Sequence, residues 1–196
     1  MTHAQLIEDS EKLINWLDRQ IDGLDVQADW RHRAAAGCLD LSMEYQKAIV
    51  LLVAKKIYGP AFSLMRLIAE SYVRGVWLHR CATEKDLEKF AKDKVPEFYV
   101  LLEDVEKLEE HKDKVLSRMK ERSWKTMNSY THTGYHQVIR RQTENSIEAA
   151  YDDDEILEMV NFANAIGYLA AIATCDLANN AKLANTILDK IKSERQ

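Results

Sequence analysis

Gly59-Pro60-Ala61-Phe62-Ser63-Leu64-Met65-Arg66-Leu67-Ile68-Ala69-Glu70-Ser71-Tyr72-Val73-Arg74-Gly75-Val76-Trp77-Leu78-His79 is the stretch whose reading decides the fold. Gly59 is expected to end the preceding element, and Pro60 suits the first turn of a new helix, where its missing N–H is harmless and its fixed φ fits. At about 100° per residue, Ala61, Leu64, Met65, Ile68, Ala69, Tyr72, Val73 and Val76 cover half the helix, while Ser63, Arg66, Glu70 and Arg74 form a narrow stripe opposite. A helix with so wide an apolar face must be covered by several others. Ions beside a core need partners, so the stripe is expected to face inward and to be met by groups from elsewhere in the chain.

The rest of the sequence has the same helical character. With 6 Gly and 2 Pro in 196 residues, it lacks the punctuation that many strands and tight turns demand. Hydrophobic residues at 46% and charged residues at 30% give an ordinary globular balance. Leu6, Leu13, Ile14, Leu17, Ile21 and Leu24 predict an amphipathic first helix from Ala4 to about Leu24. Asp29 caps a second that is expected to run from Trp30 to Tyr58 and to form a hairpin with the helix after Pro60. Thr83-Glu84-Lys85-Asp86 opens a further helix and Pro96-Glu97 another, in a charge-alternating region (84–122) assigned to the outside. From Ser123 to Ser146 the pattern is least like amphipathic helix. Asp152-Asp153-Asp154-Glu155 then starts a long final helix to about Ile191, bent or broken at Asn179-Asn180. We expect an all-α fold, one domain over 1–196: a bundle of long antiparallel helices with shorter peripheral ones.

The net charge of −5 argues against a general nucleic-acid coat. Cys38, Cys81 and Cys175 are odd in number and far apart, so each reads as a buried thiol in a reducing compartment. The N-terminus lacks a basic-then-apolar signal segment, and the longest apolar run, Ala48 to Ala54, falls short of the roughly 20 residues of a membrane span. The expected location is therefore cytoplasmic, with no membrane contact. Trp16, Trp30 and Trp77 offer apolar surface for self-association, so a homo-oligomer, most simply a dimer, is expected.

The group expected to meet the charged stripe is Ser129-Tyr130-Thr131-His132-Thr133-Gly134. The third helix and this segment resemble a family of uncharacterised bacterial all-helical domains that carry Arg-x-x-x-Glu and, later, Tyr-x-His-x-Gly; the matching residues are Arg66, Glu70, Tyr130, His132 and Gly134, within a helix order spanning about Tyr45 to Ala178. That family is distantly similar to the HEPN helical domains, many of which are RNases or components of toxin and phage-defence systems with Arg-x(4–6)-His. Arg74-x4-His79 fits that spacing formally. On one continuous helix, however, residues five apart point about 140° away from each other, and His79 falls on the apolar side.

Three functions follow. The first is an interaction or regulatory helical domain, in a defence or toxin–antitoxin setting as the resemblance implies, built on a buried network of Arg66, Glu70, Tyr130 and His132, with a protein partner. The second is a metal-independent RNase using those four as catalytic groups, with Lys125, Arg140 and Arg141 contacting RNA phosphates. The third is a small-ligand binder with a polar pocket between the third and final helices, lined by Asn161, Asn164 and Tyr168. No glycine-rich phosphate loop, dinucleotide fingerprint or nucleophilic triad is present. His132 and His136 share a helical spacing but no carboxylate completes a ligand set, so neither a metal nor a cofactor is expected.

Overall fold

Helix starts fall where side-chain oxygens meet free backbone N–H groups. Thr2 accepts from Gln5 N and Asp29 from His32 N, while Thr83/Asp86 and Asp152/Glu155 form full capping boxes. In the structure, a computed structural model that describes residues 2–194, these caps open α1 (His3–Ile21), α2 (Trp30–Ala54), α4 (Glu84–Phe90) and α8 (Asp153–Leu177). The other helices are α3 (Tyr58–Arg80), α5 (Phe98–Val105), α6 (Val115–Thr131), α7 (Tyr135–Ile139) and α9 (Ala181–Glu194), with a 3-10 turn at Glu109–His111. No strand occurs among the described residues. The fold is an all-α single-domain bundle.

The α2–α3 hairpin forms its centre. α8 packs across both hairpin helices and against α1, α9 folds back on α8, and α5 and α6 cover the remaining side of α3. One apolar core, with Leu17, Leu39, Ile49, Ile68, Leu78, Leu101 and Met159 among its most buried members, joins these layers. By length and composition α8 could cross a membrane, but here its apolar residues supply the core between α1, α2, α3 and α9. The close contact of α8 with α2 depends on Gly167, where a Cβ would lie 1.9 Å from Oε1 of Gln46. Gln46 is itself fully buried.

Three expectations need correction, and one alternative is decided. The hairpin turn comes before Gly59. Lys56 takes the left-handed conformation (φ 59°), and N–H groups of Lys56 and Ile57 close on the carbonyls of Val53 and Leu52. Helix α2 therefore ends at Ala54, and Gly59-Pro60 lie inside the first turn of α3. The final helix, expected to be bent or broken at Asn179-Asn180, is broken there, with Asn179 left-handed (φ 53°) and Asn180 capping α9 by accepting from Leu183 N at 3.1 Å. The 84–122 region is not only an outer layer, since Leu101, Leu102 and Val105 are buried against the core. Finally, Cys38 and Cys175 are buried free thiols but Cys81 is half-buried. Trp77 also belongs to the core, its indole N–H donating to Asp104 at 3.2 Å, whereas Trp30 stays half-exposed.

Candidate functional site

The charged stripe of α3 lies beneath α6. Glu70, 15% exposed, accepts from Arg66 Nε at 2.7 Å and has Arg74 Nη2 3.9 Å away on its other oxygen. Arg66 is the hub of this cluster. Its Nη1 bonds the side-chain oxygen of Asn128 and lies 3.4 Å from Nε2 of His132. Its guanidinium also sits 5.0 Å from the centre of the Trp124 ring, which in turn stacks on Phe98. Arg66, Glu70 and His132 are thus brought together, but His132 is an exposed residue at the end of α6, on the rim of the cluster.

Tyr130 belongs to a different cluster. At helical spacing, residues two apart such as Tyr130 and His132 point about 160° away from each other, so both cannot face the stripe. The buried ring of Tyr130 packs on Phe62 at 4.9 Å, and its phenol lies against Arg140, with burial raising its pKa more than the arginine lowers it. Arg140 is bound by Glu155 and lies 3.8 Å from Asp152, so its charge is already balanced. Lys125 and Arg141 are exposed. The four expected catalytic residues therefore form two separate groups, and the cation nearest Tyr130 is committed to carboxylates. Arg74 and His79 diverge as well, Arg74 toward Glu70 and His79 toward Asp176.

The Tyr-x-His-x-Gly segment has a local structural reason. Thr133 is left-handed (φ 54°), and Gly134 N donates to Ser129 O at 2.7 Å. A Cβ on Gly134 would fall 2.5 Å from Ser129 Oγ, the same hydroxyl that accepts from His136 N. The glycine is required by this close approach, and the segment forms the end of α6.

Asn161, Asn164 and Tyr168 do line one cavity, of about 780 Å³, but it lies between α1 and α8 under the end of α9, not between the third and final helices. The reason is Asn164, which accepts from Gln46 at 3.0 Å and donates to Ser10 at 2.8 Å. It is a strut tying α8 to α2 and α1.

Sequence reasoning missed a second cavity. Between α3, α8 and α9, roofed by the 3-10 turn, lies a cavity of about 570 Å³ with walls from Leu39, Val76, Leu169, Ile172 and Leu188. Tyr72, 2% exposed, brings its hydroxyl within 3.4 Å of His111 Nε2. His79 Nε2 lies 3.4 Å from Asp176, while its Nδ1 is buried without a partner. Arg80 Nη1 joins Asp176 at 2.8 Å and Glu110 at 3.1 Å. Burial lowers the pKa of both histidines, outweighing nearby carboxylates, and raises that of the Tyr72 phenol. All three are neutral near pH 7. The only hint in the sequence was a histidine on the apolar side of α3, followed far along the chain by an Asn-Asn break. His111 and Asp176 reach the cavity from elements with no shared motif. No group of three or more His, Cys, Asp or Glu among the described residues is placed to hold a metal ion.

Residues 39–194, which contain every lining residue of this cavity, match a family described as a family of unknown function, DUF6988. No curated protein and no solved structure matches the chain.

Proposed function

We propose that this chain, which belongs to the DUF6988 family of unknown function, is a helical small-ligand-binding protein whose site is the cavity between α3, α8 and α9. The observation that carries this reading is convergence. A tyrosine, two neutral histidines and an Arg80–Glu110–Asp176 cluster meet around an apolar-walled space of about 570 Å³. Cavities of this size with a few placed polar groups suit small molecules, whereas a core serving stability alone is filled with side chains. The Arg66–Glu70 cluster is better explained as a fastening between α3 and α6, and the balanced charge of Arg140 gives RNA cleavage no support.

The test is cavity filling. Small organic compounds that raise the melting temperature of the wild-type protein are expected to leave Ala173→Trp, which places an indole in the cavity, unshifted. A screen in which no compound stabilises the wild type, or in which both proteins respond alike, contradicts the proposal.

The interaction-domain reading has one specific observation in its favour. Tyr135, Val138 and Ile139 stand exposed together on α7, an apolar face of the kind that partners cover. Light scattering that reports a dimer for the wild type and a monomer for Tyr135→Ser supports that reading, and a wild-type monomer removes self-association.

A further inference from the structure

We infer that the ligand of the α3–α8–α9 cavity is an organic cation, an ammonium or guanidinium group carried on an apolar body. The inference rests on the site proposed above and identifies its ligand class from the charges around it.

Every ionisable group that faces the space can be named by element. Helix α3 contributes Tyr72, His79 and Arg80, the 3-10 turn Glu110 and His111, and α8 Asp176. The lining residues from α2 and α9 are Leu39, Ala181, Ala184, Asn185 and Leu188, none of them ionisable. One permanent cation therefore stands against two carboxylates. The histidines add no positive charge at neutral pH, because burial holds both below the ordinary imidazole range.

The bonding leaves acceptors at the mouth. Arg80 and His79 both engage Oδ2 of Asp176, and Arg80 engages Oε1 of Glu110. Among the described residues, the second oxygen of each carboxylate has no partner. Both side chains are about half exposed, at 49% and 47%, while Tyr72, Leu39 and Val76 are buried. A ligand that fits this gradient puts its apolar body inward and its charged donor group at the mouth, against the free carboxylate oxygens. An anion would have to take Arg80 from two carboxylates and would meet the excess negative charge.

Titration calorimetry at pH 7.5 with three probes of similar size tests the charge preference: 2-phenylethylamine, 2-phenylethanol and 3-phenylpropanoate. The ammonium is expected to bind about fivefold more tightly than the alcohol, the scale of one exposed ion pair, with the carboxylate weakest. Glu110→Gln is expected to remove most of that preference, the ammonium losing more affinity than the alcohol. If the alcohol binds as tightly as the ammonium, or the carboxylate binds most tightly, the ligand class is wrong and the cavity stands as a site. If none of the three binds, the cavity is not a site and the inference falls with it.

Discussion

Arg66 and His132 were equal members of one expected network, yet the structure makes them very unequal. Arg66 bonds Glu70 and Asn128 and lies over Trp124, so removing it leaves a shielded carboxylate with only the 3.9 Å contact to Arg74. Arg66→Ala is expected to cost about 1–3 kcal/mol, and His132→Ala, at an exposed helix end, to stay within about 0.5 kcal/mol. Urea denaturation of the two variants checks this ordering; equal losses would put the imidazole at the hub. The histidines of the cavity make a second prediction. Their folded pKa values lie below the ordinary 6.5, so the unfolded chain binds more protons over that interval. Their contribution is full above pH 6.5 and is lost as pH falls toward the folded values. Unfolding free energy should therefore drop with acidification from pH 6.5, and His79→Gln with His111→Gln should flatten that slope. An unchanged slope in the double variant contradicts the burial that the fold gives these rings.

The ends of the helices explain why the sequence located the elements better than their limits. Starts were legible, because Asp29, Thr83 and Asp152 cap by a side-chain chemistry that is written in the residue itself. Ends were less so, because α2 and α6 finish on left-handed Lys56 and Thr133 where glycine is the usual signal, while the end of α8, on left-handed Asn179, was marked by its Asn-Asn pair. Such a conformation costs about 1–2 kcal/mol in most residues, and here the closing bonds to Leu52, Ser129 and Cys175 oppose it. The Asn179-Asn180 break has a structural consequence, since it turns α9 back over α8 and closes one side of the cavity. Asn180→Ala is expected to weaken the start of α9 by about 1 kcal/mol. Hydrogen exchange over 181–194 should then quicken about fivefold while α2 and α3 keep their protection. Uniform loosening of the whole chain would show that α9 is not a separate dock.

Across the whole molecule, the buried halves of the helices were legible from periodicity, and so was the inward turn of the charged stripe on α3. The cavity was not. Its polar groups come from α3, the turn after α5 and the end of α8, and only the packing of those elements brings Tyr72, His79, His111 and Asp176 to one space. Asn161, Asn164 and Tyr168 were rightly read as neighbours on one helix, but periodicity cannot say which other helix they face, and α1 occupies that side. The position of a bound ligand decides the account most directly. With 2-phenylethylamine bound, nuclear Overhauser effects from its ring protons should reach the methyl groups of Leu39, Val76, Leu169 and Ile172. Contacts instead to Leu6 and Leu13 on α1, or to no buried methyl, would contradict a binding site between α3, α8 and α9.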